Sequence, residues 1–143
     1  MSEKVFVYGT LMSGRCNHFY MEKKEVKFLG KGRANAFALY NVTPYYPGAV
    51  KEEGESVLGE VYEIPKDHMD CLDRLEENGF LYRREKAEVE LESGERVEAW
   101  IYLWLRDCCS ETKVPPDRQP WGGCEDFEDD FEVIKNNKRK RDC

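Results

Sequence analysis

The chain has 143 residues, 41% of them hydrophobic and 36% charged, with 22 Lys and Arg against 29 Asp and Glu for a formal net charge of −7. That length suits one domain with a sizeable core, and the acidic balance argues against a nucleic-acid partner, which usually calls for a basic face. No apolar run approaches the roughly 20 residues of a membrane helix, and charged Glu3 and Lys4 precede the first strand where a secretory signal would be apolar, so no membrane is expected and the expected compartment is the cytoplasm.

Val5-Phe6-Val7-Tyr8 reads as a short buried strand that runs straight into Gly9-Thr10-Leu11. Glycine lets the backbone turn sharply or come close to something small. Two readings stand: the corner only reverses the chain, or its successive N–H groups cradle an anion. Met12–Lys27 is mixed, with a helical turn near Phe19-Tyr20-Met21. Gly30–Tyr40 reads as a strand, and Asn41–Gly48 as a loop by its Pro and Gly content. Val57–Ile64 is a strand by its β-branched and aromatic residues. Pro65 to about Glu77 is the one clear helix, opened by Pro and stopped by Asn78-Gly79. Tyr82–Leu91 and Arg96–Leu105 are strands joined as a hairpin at Ser93-Gly94. No internal repeat is visible.

These elements predict an α+β domain over residues 1–105, with an antiparallel or mixed sheet that can curl into a barrel. Residues 106–143 form a C-terminal extension of different texture. It holds Pro115-Pro116, Pro120-Trp121-Gly122-Gly123, and an acidic cluster from Glu125 to Glu132 that Phe127 and Phe131 could dock as a short helix. Its end, Lys138-Arg139-Lys140-Arg141, reads as a solvated terminus.

The six cysteines, Cys16, Cys71, Cys108, Cys109, Cys124 and Cys143, form no CxxC pair. Their spacing suits neither zinc nor a disulfide framework, so reduced thiols are expected. A cysteine nucleophile needs a nearby base, and neither His18 nor His68 shows a pairing pattern. No metal and no cofactor are expected.

The helix PKDHMDCLDRLEEN carries the clearest chemical signal. Met69, Leu72 and Leu75 form an apolar stripe that continues to Glu76, whereas Glu77 aligns with Asp73 and Asp70 on a charged face. At a helix end, Glu76 can reach water and be unremarkable. If it is instead partly buried in a pocket, desolvation raises its pKa and suits it to carry a proton near neutral pH.

Tyr8-Gly9-Thr10-Leu11, then Gly14 and Asn17-His18, resembles the YGTL-x-x-G-x-x-N-H opening of the γ-glutamylcyclotransferase-like (AIG2-like) family. Leu72-Asp73-Arg74-Leu75-Glu76 followed by Tyr82-Arg83-Arg84 is similar to its LDxxE…Y-x-R block. Tyr46-Pro47-Gly48-Ala49-Val50 and Gly59-Glu60-Val61-Tyr62 fall in the same order, and the resemblance spans Val5 to Leu105.

The resemblance implies a small mixed barrel with flanking helices around one cavity, and an enzyme that releases 5-oxoproline from a small γ-glutamyl substrate. By that match Gly9, Thr10 and Leu11 would cradle the substrate carboxylate. Tyr8 and Tyr82 would line the pocket, and Glu76 would be the catalytic acid/base. Glu77-Asn78-Gly79 departs from the shorter E-G turn of many members. A non-catalytic module that kept the fold and binds a small ligand or partner is the alternative. The oligomeric state and the leaving amine are left open by the sequence.

Overall fold

In the computed structural model the described residues are 2–14, 17–22, 25–41, 47–75, 81–105, 113–115 and 118–121. Strand β1 (Ser2–Val7) supplies Val5, Phe6 and Val7 to the core, all buried. Strand β2 (Lys27–Asn41) and strand β3 (Pro47–Pro65) form a long antiparallel pair. Helix α1 (Lys66–Leu75) follows β3 directly, and strands β4 (Tyr82–Leu91) and β5 (Arg96–Trp104) make the hairpin expected at Ser93-Gly94.

The strand order β1-β3-β2-β4-β5 closes on itself, because β5 also pairs with β1. The β1–β3, β2–β3, β2–β4 and β4–β5 pairs are antiparallel, whereas β1–β5 and β3–β5 are parallel. The molecule is thus mostly sheet, with α1 the one α-helix among the described residues and a 3₁₀ turn over His18–Met21. Inside the ring, small residues permit close strand contact. A Cβ on Gly59 would lie 2.3 Å from the Val7 carbonyl oxygen, so β1 and β3 approach there as only glycine allows.

Strand β1 starts at Ser2 and ends at Val7 rather than Tyr8, β2 extends to Lys27 and Asn41 beyond the expected Gly30–Tyr40, and three larger expectations change. Strand β3 begins at Pro47, ten residues before the predicted Val57, so Pro47 to Val50 are strand rather than loop. The intervening Lys51-Glu52-Glu53-Gly54-Glu55 is a charged run. It pairs with β2 only up to Lys51, and pairing resumes at Ser56 after a register shift opposite Ala36. Ala36 has φ of 71°, a conformation that costs a residue with a Cβ about 1–2 kcal/mol and that neighbouring pairing holds in place. Glu52 and Glu55 fasten this bend by meeting Lys113, and the Tyr40 hydroxyl donates to Glu52 at 2.8 Å.

Cys71 is the second change. It is buried on α1 and disulfide-bonded rather than a reduced thiol, and the sulfur it bonds lies outside the described residues. Pairing depends on spatial approach, which cysteine spacing in a sequence does not encode. The third concerns Asp73, read as one of the residues of a charged helix face. Packing of α1 on the sheet turns it toward β4 and β5, where it is partly buried between Arg84 and Tyr102.

Beyond β5, Val114 N–H donates to the Leu39 carbonyl at 2.7 Å, and Gln119 Oε1 accepts from Leu58 N–H at 2.8 Å. The Trp121 ring is buried and its Nε1 donates to Asn41 Oδ1 at 2.6 Å. These residues therefore lie along β2 and β3. The Phe127–Phe131 helix and the basic run expected further on fall outside the described residues, as do Asn78-Gly79 and the Val42–Tyr46 part of the expected loop.

Candidate functional site

Where β1 ends, the chain turns through Gly9–Met12, and Met12 N–H donates to the Gly9 carbonyl at 3.1 Å. The next two carbonyls are also engaged. Asn17 N–H donates to Thr10 O at 2.8 Å, and His18 Nδ1 donates to Leu11 O at 2.9 Å, which makes Nδ1 the protonated ring nitrogen. Asn17 and His18 are the N-H pair of the opening motif, and their place in it has a physical reason. Together with Met12 N–H, they turn three consecutive carbonyls into the loop. No acceptor for the N–H groups of Gly9, Thr10 or Leu11 occurs among the described residues. Three consecutive donors left over on one turn form the kind of concavity that holds an anion. The Thr10 hydroxyl accepts from Asn17 Nδ2 at 2.8 Å, which leaves its own proton to donate.

The glycine at this corner has a contact reason. A Cβ on Gly9 would stand 2.9 Å from both Cδ and Cγ of the Pro47 ring. Pro47 is the proline of the Tyr-Pro-Gly-Ala segment, so two motif segments far apart in sequence touch here. Tyr8 and Tyr82 join them. Tyr8 O–H donates to Tyr102 O at 2.6 Å and accepts from Ala49 N–H at 3.0 Å. Tyr82 O–H donates to Pro47 O at 2.6 Å. Both phenols are buried and bind the start of β3, so it is their rings that could border a ligand.

Glu76 and Glu77 lie outside the described residues. The turn of α1 before them is well held. Met69, Leu72 and Leu75 are buried as the stripe predicts. Arg84 Nε donates to Asp73 Oδ1 at 2.8 Å, and Tyr102 O–H donates to the same oxygen at 2.7 Å. The Arg84 guanidinium also lies 4.4 Å from the centre of the Trp100 ring, a cation–π distance. The aspartate of LDxxE and the last arginine of the Tyr82-Arg83-Arg84 block are thus an ion pair that ties the end of α1 to β4.

Sequence reasoning passed over Glu60. It is the one charged residue buried among the described residues. Its Oε1 accepts from Ser13 N–H at 2.8 Å and from Tyr62 O–H at 2.9 Å. Burial, with the Glu60 carboxylate beside it, pushes the Tyr62 phenol far above the usual tyrosine range. The available signal was position: Glu60 alternates with inward Gly59 and Val61, so it belongs to the outer face that Ser13 meets. A groove of about 550 Å³ runs beside it, lined by Met12, Lys31, Arg33, Leu58 and Glu90 among others. None of the five substrate-binding candidates lines that groove.

Residues 5–122 match the family model described as "Gamma-glutamyl cyclotransferase, AIG2-like". The match therefore continues past Leu105 into the segment that packs along β2 and β3. A Methanocaldococcus jannaschii protein named "Putative gamma-glutamylcyclotransferase" is 39% identical over 109 residues, 74% of this chain and 88% of that protein. A Niallia circulans protein named "Gamma-L-glutamyl-butirosin B gamma-glutamyl cyclotransferase" is 36% identical over 115 residues, 76% of this chain and 71% of that protein. Among solved structures, an AIG2-like protein from Mus musculus superposes with a TM-score of 0.67 at 27% identity, covering 78% of this chain and 82% of that one.

Proposed function

We propose that this chain, which belongs to the γ-glutamyl cyclotransferase, AIG2-like family of enzymes, releases 5-oxoproline from a small γ-glutamyl amine or γ-glutamyl amino acid. The observation that carries this reading is the asymmetry at the β1 corner. Three consecutive carbonyls are engaged, and three consecutive N–H groups find no acceptor among the described residues. A substrate α-carboxylate supplies the missing acceptors, and the Thr10 hydroxyl adds a further donor.

A γ-glutamyl substrate contains both of its own reactants. With the carboxylate held at Gly9, Thr10 and Leu11, the α-nitrogen is directed at the γ-carbonyl carbon. That nitrogen forms the new C–N bond of a five-membered lactam, and the bond from the γ-carbon to the leaving nitrogen breaks. Positioning supplies much of the rate, because attack is intramolecular. In this reading Glu76 takes the proton released by the α-nitrogen and returns one to the leaving nitrogen, so the carboxylate ends as it began. The rings of Tyr8 and Tyr82 border the substrate. The Asp73–Arg84 pair fixes the helix turn that leads to Glu76. We read the closed ring of strands as the small mixed barrel of this family. The mouse relative named "Gamma-glutamylaminecyclotransferase", 29% identical over 116 residues, favours including amines among the leaving groups.

The test is product formation. The protein is incubated with γ-glutamyl amines, γ-glutamyl amino acids and glutathione, and 5-oxoproline is quantified. Release from at least one class, lost in Glu76→Gln, supports the reading; no release from any of them refutes it.

A further inference from the structure

We propose that Glu60 is a positioning residue for the anion cradle: its buried carboxylate, holding Ser13 N–H and Tyr62 O–H, sets the turn whose Gly9, Thr10 and Leu11 amides receive the substrate. This rests on the cyclotransferase reading of that turn.

Residues 9–14 and 17–21 meet β3 on the face where Glu60 and Tyr62 project, through Ser13 and His18. Three of their fastenings are internal: Asn17 N–H to Thr10 O, Asn17 Nδ2 to Thr10 Oγ1, and His18 Nδ1 to Leu11 O. These define the shape of the loop but not where it sits on the sheet. The Ser13–Glu60 bond at 2.8 Å joins the loop to the sheet directly after the cradle. The His68–Tyr20 bond at 2.7 Å, from α1, holds the far end. Between these two anchors, the His18 ring stands 6.1 Å from the Tyr62 ring, centre to centre.

A carboxylate suits this place for two reasons. It carries acceptors and no donor, and its Oε1 alone receives Ser13 N–H and Tyr62 O–H together. Hydrogen bonds to a charged acceptor are shorter and stronger than neutral ones, which gives a rigid anchor at the cost of burying charge. A carboxylate that holds Ser13 N–H also keeps that amide from competing for the ligand. The incoming anion then meets only the donors of Gly9, Thr10 and Leu11.

The experiment compares Glu60→Leu, Glu60→Gln and the unaltered protein, using the γ-glutamyl substrate that gives most 5-oxoproline. Glu60→Leu removes the acceptor; the Glu60→Gln amide oxygen can still accept Ser13 N–H. The expected result is a KM raised about tenfold or more in Glu60→Leu, with kcat within about threefold, and a KM close to the unaltered value in Glu60→Gln. A lowered melting temperature with unchanged KM would show Glu60 to be a stability residue only and would overturn the proposal. So would a fall in kcat at constant KM, or a Glu60→Gln variant no better than Glu60→Leu. A second measurement needs no variant: amide hydrogen exchange of the full chain with and without 5-oxoproline. Ser13 should be protected in both states, and Gly9, Thr10 and Leu11 only when 5-oxoproline is present. An unprotected Ser13 amide refutes the anchor. Absence of any 5-oxoproline from the unaltered protein refutes the cyclotransferase reading, and Ser13 exchange still reports on the anchor in that case.

Discussion

Two strands of this molecule end in a glycine-containing turn, and the turns do opposite things with their backbone. In the β4–β5 hairpin, Gly94 has φ of +92°, a Cβ there would meet nothing within 4 Å, and the N–H groups of Leu91, Glu92, Gly94 and Glu95 all donate within the protein. Glycine is there for its conformation. After β1, a Cβ on Gly9 would strike the Pro47 ring at 2.9 Å, and the Gly9, Thr10 and Leu11 amides find no acceptor among the described residues. Glycine is there for contact, and the turn keeps its donors in reserve. The two look alike in sequence, so a glycine after a strand says little. What separates them is where the carbonyls and amides go.

If chemistry gathers at the β1 turn, the largest effect comes from the acid/base assigned to it. Glu76→Gln keeps shape and loses the proton acceptor, so kcat should fall by about 10²-fold or more. Glu77→Gln should leave turnover nearly unchanged. Steady-state assays of 5-oxoproline release decide, and reversed behaviour would move the assignment to Glu77.

Next comes the last turn of α1, which precedes Glu76 in the chain. Asp73→Ala removes the acceptor shared by Arg84 and Tyr102. Losing those bonds should cost about 1–3 kcal/mol of stability, and misplacing the helix end should lower kcat by up to roughly 10²-fold. Thermal melts beside kinetics separate the two. Full activity in Asp73→Ala would mean that the ion pair serves only packing.

Paired substitutions probe the difference between the two turns directly. Gly9→Ala forces a methyl against Pro47, an overpacking cost of about 1–3 kcal/mol, and should raise KM because the cradle shifts with it. Gly94→Ala costs about 1–2 kcal/mol from its positive φ and should leave KM as it was. Equal KM values in both variants would erase the distinction.

The smallest effect lies far from both turns. Lys113 and the Tyr40 hydroxyl hold the Glu52 carboxyl below its usual value of 4.5. A carboxyl lowered by folding contributes stability that is present above its unfolded value and is lost as pH falls through the folded one. Glu52→Gln should therefore melt slightly below the unaltered protein near neutral pH, and the gap should close as pH drops below 4.5. Melting curves from neutral to acid pH report it, and a gap that stays constant would show that the pair contributes no titratable stability.

The sequence by itself determined the local elements whose periodicity is set by burial. Tyr82–Leu91 and the Met69-Leu72-Leu75 stripe are legible because alternating or helical spacing is the direct image of one face turned inward, and Val5-Phe6-Val7 is legible as a short continuous apolar run buried on both faces. The ordered motifs of the chain also marked its family. Other features only the tertiary structure decided. Glu52 and Glu55 look solvated until Lys113, from beyond the last strand, arrives beside them. Asp73 looks exposed until Arg84 and Tyr102 surround it, and Cys71 looks like a free thiol until folding brings it to another sulfur. Glu60 looks like one acid among 29 Asp and Glu until Ser13 meets it. In each case the partner is distant along the chain, and hydrogen bonds and ion pairs between distant residues leave no periodic trace in a sequence.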